Sequence, residues 1–328
     1  VEFMYQHLLY QHQTSFLTGE QIRDGWLVHM KHEEENFLWV ANQKALDLML
    51  IGLVPPATSD PNYTTDTIYS NYFEMIDAQL TTEIFGFYAP TRPDVAVEMA
   101  KLPIQTTARE NAQWISEFYV AMYALASGVD VNLSKKDQML WMADHASKQL
   151  PVGSYANKMY HFVLNNYKEG FSWEQNRDAV YERYQVAQED GYEITSLGTY
   201  CNGCFVGGIN FAASLVSLFH GEGDFKQTVK IGTLCGWDSD NPTATWGGLL
   251  GFMYGKEGIE NAFGQKFSEE FNIHRTRRNF PNEGITNFYD MAEKGVFIVD
   301  RVVQEVLSGG IDLDKNIWYI PKLNPNGT

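Results

Sequence analysis

The chain has 328 residues, 44% of them apolar and 14% aromatic, and a formal charge of −17 at pH 7. That length supports a sizeable core in one large or two ordinary domains, whereas the acidity opposes binding to a nucleic-acid backbone. No apolar run approaches the ~20 residues that cross a bilayer as a helix, and three cysteines are too few for a disulfide scaffold.

Helical periodicity dominates from the first residue. Val1, Met4 and Leu8 share one face, and Phe37, Val40, Ala41 and Leu48 share another that ends before Pro55-Pro56. Asn71 opens an Asn-x-x-Glu capping box with Glu74. Behind it Phe73, Ile76, Leu80, Ile84 and Phe87 step by 3, 4, 4 and 3, which predicts one continuous amphipathic helix. Trp114, Phe118, Met122 and Leu125 predict the next. Ser134 and Ser172 cap helices expected to run to about Leu150 and Gln188. Residues 207–220 and 225–235 make two more, separated by Gly221-Glu222-Gly223, and a last strong helix spans about 290–307. Ile317–Ile320 is the best strand pattern, and no repeat, linker or low-complexity tract interrupts the chain. The expected fold class is all-α: a single large orthogonal helical domain over residues 1–328, with roughly ten to thirteen helices.

The most informative stretch is 235–251, CGWDSDNPTATWGGLLG. Asp238 and Asp240 sit two apart in a turn, and Asn241 and Pro242 then suggest an N-cap and a first helical residue. Oxygen-only clusters of this kind suit magnesium, with manganese or calcium as alternatives, and not zinc. Trp237 and the apolar run that follows imply a buried turn, where paired carboxylates need a cation or protons. Gly247, Gly251 and Gly255, four apart, imply close approach by another backbone. The competing reading is an ordinary surface Asp-Ser-Asp turn.

Other candidates are sparser. Asp77, Gln79 and Glu83 flank the apolar face of the 73–87 pattern and either line a cleft or form a solvated rim, with Asp77 the favoured member. Thr107 can offer a hydroxyl to a substrate or cap a helix. Tyr200, Asn202 and Gly203 precede a helix N-terminus, where backbone amides can hold a phosphate or sugar hydroxyl. His220, before a glycine, reads as a helix-end cap. Cys201-Asn-Gly-Cys204 is a local disulfide, a redox pair, half of a zinc site that nothing completes, or a pair of buried thiols. Asn62, Asn132 and Asn326 begin glycosylation sequons, whereas Asn241-Pro-Thr243 does not. No P-loop, dinucleotide fingerprint or Gly-x-Ser-x-Gly is present.

Gly236-Trp237-Asp238-Ser239-Asp240, followed by Ala244-Thr245 and Gly248-Leu-Leu-Gly251, resembles the C-terminal metal motif of the ADP-ribosylglycohydrolase family. Residues 75–90 and 207–223 are similar to two further segments of one branch of that family, and the likeness extends over roughly 1–305. The resemblance implies an all-α fold with a central metal cleft holding divalent ions, usually two magnesium ions. It implies hydrolysis of the glycosidic bond at the anomeric carbon of ADP-ribose or a related riboside, by water. Asp238 and Asp240 would then be metal ligands, and Trp237, Asp77, Thr107 and Asn202 the substrate-binding candidates. The implied partner is a small-molecule or glycoside substrate, with no nucleic acid and no membrane.

One departure matters. The family's second metal motif, Thr-Asp-Asp-Thr near its N-terminus, has no counterpart beyond Thr64-Thr65-Asp66-Thr67, which falls where the family does not place it. The expectation is that the true motif belongs just upstream of Val1. The alternative is a catalytically lapsed member that binds or scaffolds. The sequons at Asn62 and Asn132 favour a secreted glycoprotein acting on an extracellular glycoside or nucleoside, with a cytoplasmic protein as the alternative.

Overall fold

A computed structural model describes residues 1–30, 38, 40–63, 71–193, 203–274 and 277–322. Phe37, the Thr64–Thr67 string with Asp66, Tyr200, Cys201, Asn202 and Asn326 lie outside the described residues.

Among the described residues thirteen α-helices follow one another: α1 (Glu2–His12), α2 (Gly19–His29), α3 (Val40–Leu50), α4 (Ile84–Tyr88), α5 (Pro93–Ile104), α6 (Glu110–Ala126), α7 (Lys135–Ala146), α8 (Tyr155–Lys168), α9 (Trp173–Val180), α10 (Gly207–Gly221), α11 (Phe225–Cys235), α12 (Asp240–Phe263) and α13 (Phe288–Glu305). The only strands described form two antiparallel hairpins, Glu270–Asn272 with Ile285–Asn287 and Gly310–Asp312 with Ile317–Tyr319. The class is all-α, and no described helix is long and apolar enough to cross a membrane.

Local chemistry accounts for many helix starts. Ser134, Ser154, Ser172 and Asp224 each accept the backbone N–H three residues on, as N-caps do. Beyond Val180 the expected helix to Gln188 continues as a π-helical stretch, Tyr181–Val186. The core has two parts, and α6 contributes to both: Phe118, Tyr119 and Met122 to one, Val120 and Ala124 to the other. α10 runs through the first with every residue but His220 buried. A helix that is apolar nearly all round belongs in an interior. Phe211 packs there between Phe118 and Tyr119, at ring separations of 5.2 and 5.9 Å.

The predicted continuous helix over 73–87 does not form. The segment turns through two 3₁₀ stretches, Tyr72–Glu74 and Ile76–Ala78, and only Ile84–Tyr88 is α-helical. Asn71 makes no side-chain cap. The backbone is extended at Met75, which bridges Val206, and Ile76 N–H donates to Phe205 O at 3.0 Å. The Thr81 and Thr82 hydroxyls bond back to the carbonyls of Asp77 and Ala78. Asp77, Gln79 and Thr82 are buried, whereas Leu80 of the expected apolar face is exposed, so the burial pattern is not that of one amphipathic helix.

Candidate active site

α11 ends at Cys235, and the chain turns sharply before α12. Gly236 takes φ 97, ψ −164, a conformation suited to glycine. Trp237 follows in the left-handed region at φ 55, unusual for a bulky residue. The next peptide is pinned: Asp238 N–H donates to Asn210 Oδ1 of α10 at 3.0 Å. Asn241 N–H then donates to Asp238 O at 3.0 Å, and α12 begins at Asp240 with Ser239 as its N-cap.

Three expectations about this turn are corrected. Asn241 is not the cap: it lies inside the first helical turn with Pro242 behind it, because the reversal at Gly236 and Trp237 starts the helix two residues earlier. The carboxylate pair is not buried: Asp238 is half-buried and Asp240 exposed. The glycine stripe is not crowded either. A Cβ at Gly247, Gly251 or Gly255 would meet nothing within 4 Å, whereas one at Gly248 would meet Tyr123 Oη at 2.6 Å. The stripe faces outward, and α12 breaks at Gly255 (φ 69, ψ 168).

Asp77 is buried and accepts the N–H of Asn42 on Oδ1 at 3.2 Å, while Oδ2 has no partner. Burial pushes its carboxyl up to about 6. Asp238 is pushed up to about 7, by burial first, then by contact with the Asp240 carboxyl and the charges of Asp240 and Asp77. The three acids thus form one electrostatic group of graded exposure. No basic side chain is among the causes acting on Asp77 or Asp238.

Around this group lie further buried polar side chains. Gln79 is fully buried with neither end of its amide partnered. Its Nε2 lies against the first turn of α10, 2.6 Å from where a Cβ on Gly207 would sit. Glu83 accepts the Thr245 hydroxyl of α12 on Oε1 at 2.8 Å, and Oε2 is unpartnered. Burial, with the charge of Glu2, pushes the Glu83 carboxyl well up. Glu74 accepts the Tyr155 hydroxyl and is pushed up to about 7, chiefly by burial. Asn241 is buried with both ends of its amide unpartnered.

The remaining candidates scatter. Trp237 is half-buried against the first core cluster. Thr107 is buried in the turn between α5 and α6, its N–H on Ile104 O, and among the described residues no hydrogen bond joins it to the Asp238 turn. His220 lies in the last turn of α10, and its Nε2 is 3.1 Å from Asn176 Nδ2, which joins α10 to α9. Cys204 is in a disulfide, and Cys235 is a buried free thiol. Asn62 and Asn132 are exposed. Sequence reasoning missed Asn210, Thr245 and Asn42. Asn210 carried a signal, as a lone carboxamide in the apolar run Gly207–Val216.

The donors of the turn are oxygen: the Asp238 and Asp240 carboxylates, with the charge of Asp77 acting on Asp238. Their chemistry fits a hard divalent cation. Among the described residues no three His, Cys, Asp or Glu side chains stand in a ligating arrangement.

No curated protein and no solved structure matches the chain. The profile of one family, described as ADP-ribosylglycohydrolase, matches residues 8–293, which include the 74–83 segment, α10 and the Asp238 turn. The chain belongs to the ADP-ribosylglycohydrolase family, hydrolases of glycosidic bonds.

Proposed function

We propose that the protein hydrolyses the glycosidic bond at the anomeric carbon of an ADP-ribosyl conjugate or related riboside, with a divalent cation, magnesium in the first instance, held by Asp238 and Asp240. The observation that carries this reading is the acid group itself. Asp77 is buried with an unpartnered oxygen, Asp238 half-buried and Asp240 exposed, and the charges of Asp77 and Asp240 both raise the Asp238 carboxyl. Such a group is stabilised by a cation or by protons.

A bound cation would supply positive charge that orients the sugar hydroxyls and the attacking water. Asp77 is suited to general base: Oδ1 is fixed by Asn42 N–H, leaving Oδ2 to take a proton from that water. As the water oxygen bonds to the anomeric carbon, the bond to the leaving group breaks. The Trp237 indole, half-buried at the turn, offers a face for the substrate ring. The exposed Asn62 and Asn132 leave room for the glycans of a secreted form, and the intact mass of the protein from its native source reads them directly.

Two measurements test the reading. Manganese titrated calorimetrically into chelator-treated protein should bind, and Asp240→Asn should weaken binding at least about tenfold. With ADP-ribosyl and ribosyl conjugates as probes, Asp77→Asn should lower sugar release by about 10²–10⁴-fold while keeping manganese affinity. Equal heats for wild type and Asp240→Asn remove the cation from the mechanism. Tight manganese binding with no release from any conjugate makes the protein a binding module.

A further inference from the structure

We infer that Asn210 is the positioning residue of the acid site, holding the Asp238 turn in the one arrangement in which its two carboxylates converge. The inference rests on the reading of Asp238 and Asp240 as cation ligands and adds what sets their geometry.

Asn210 is fully buried in the first turn of α10, in a run that is otherwise apolar or glycine up to Ser214. Both donors and one acceptor position of its carboxamide are used. Nδ2 donates to Cys204 O at 2.7 Å and to Val206 O at 2.9 Å, and Oδ1 accepts Asp238 N–H at 3.0 Å. Two carbonyls on one side and an N–H on the other settle the orientation of the amide without ambiguity.

The place it grips is where the turn is least stable by itself. Gly236 and Trp237 both have positive φ, and a left-handed tryptophan persists only where its surroundings over-determine it. Leaving the left-handed region changes ψ of Trp237 as well as its φ, and the change in ψ turns the peptide joining Trp237 to Asp238, whose N–H is the group Asn210 holds. Rotation of that peptide would swing the Asp238 side chain, whereas Asp240, already in α12, would stay. Asn210 touches neither carboxylate, so it acts on the site only through the backbone. No other uncharged side chain of this volume offers two donors and an acceptor here: leucine offers none, and aspartate loses both donors and sets a charge against two carbonyls.

The test compares wild type, Asn210→Leu and Asp240→Asn by manganese calorimetry on chelator-treated protein, with circular dichroism and melting curves on the same samples. Asn210→Leu should remain helical and melt cooperatively, yet bind manganese about 10–100-fold more weakly. A folded Asn210→Leu with wild-type affinity overturns the proposal. Should that variant not fold, backbone hydrogen exchange in the wild type decides. The Asp238 amide should exchange at least about 100-fold more slowly than an exposed amide, and exchange at the exposed rate overturns the proposal. A wild type that binds no manganese defeats the cation reading, and the protection of the Asp238 amide then judges the role of Asn210 separately.

Discussion

α10 and the segment from Glu74 to Glu83 pack against each other and both bury polar side chains, but they treat them in opposite ways. On α10 each is satisfied: Asn210 makes three hydrogen bonds, Ser214 Oγ donates to Phe211 O and meets the Tyr119 hydroxyl at 2.7 Å, and Ser217 Oγ donates to Thr228 O at 2.8 Å. On the segment, Asp77 Oδ2, both ends of Gln79 and Glu83 Oε2 have no partner. An orphaned buried polar group costs about 1–3 kcal/mol. The difference separates a helix whose buried polar side chains are satisfied within the fold from a segment in which several are not. Such a cost persists in a folded protein where function holds it in place.

The largest expected effect concerns Glu74, the acid of the segment that does have a partner. Burial raises its carboxyl from 4.5 to about 7 in the folded chain. The protonated acid is therefore favoured by folding. Its contribution is fully present below about pH 4.5 and is lost as pH rises through about 7, on the order of 3 kcal/mol in all. Glu74→Gln keeps an acceptor for the Tyr155 hydroxyl and does not titrate. Urea midpoints from pH 5 to 8 should fall more steeply for wild type than for the variant. Parallel curves would show that Glu74 is ionised in the fold and break the contrast on the segment's side.

The contrast also predicts opposite signs for two polar-to-apolar changes. Gln79→Met removes an amide that bonds to nothing and should raise stability, by about 1–3 kcal/mol. Ser217→Ala removes a satisfied donor and should lower it by about 1 kcal/mol. Thermal or urea unfolding reads both. If Gln79→Met destabilises, the amide has a partner in solution and is satisfied after all.

What the sequence shows of this molecule follows the same division. α11 and α13 are legible because apolar spacing behind a capping side chain decides each, and α10 because its apolar run is long and ends at a Gly-Glu-Gly stop. The 73–87 helix is misread because the 3-4-4-3 spacing counts the apolar face alone. The residues of the opposite face, Asp77, Gln79 and Thr82, are buried while Leu80 is exposed, and the bridge to Val206 overrides local propensity. Gly247 and Gly251 show spacing but not what stands opposite, and nothing does. At the site, Asp238 and Asp240 are visible as a motif and Asp77 as a polar intruder beside apolar residues. Asn210 is visible as a lone carboxamide in an apolar run, but its role is not, because that lies in a hydrogen bond to a backbone 28 residues away.

The smallest expected effect is the sharpest probe of the boundary between the two regions, where Gly207 and Gly208 open α10. A Cβ on Gly208 would come within 2.7 Å of the rings of both Tyr155 and Tyr192. Those rings are buried and packed edge to face at 5.2 Å, with the Tyr155 hydroxyl held by Glu74, so they have nowhere to go. Gly208→Ala should cost about 1–3 kcal/mol. A Cβ on Gly207 would meet Gln79 Nε2 at 2.6 Å, the far end of a flexible side chain with no hydrogen bond to break, and the Glu74 backbone oxygen less closely at 3.2 Å. The gain of about 0.5–1 kcal/mol from replacing a helical glycine then offsets most of the displacement. Gly207→Ala should therefore leave the urea midpoint nearly where it is while Gly208→Ala lowers it. Equal losses at the two glycines would mean that Gln79 is held as firmly as the tyrosines, and the unsatisfied groups of the segment would have to be sought at Asp77 and Glu83 alone.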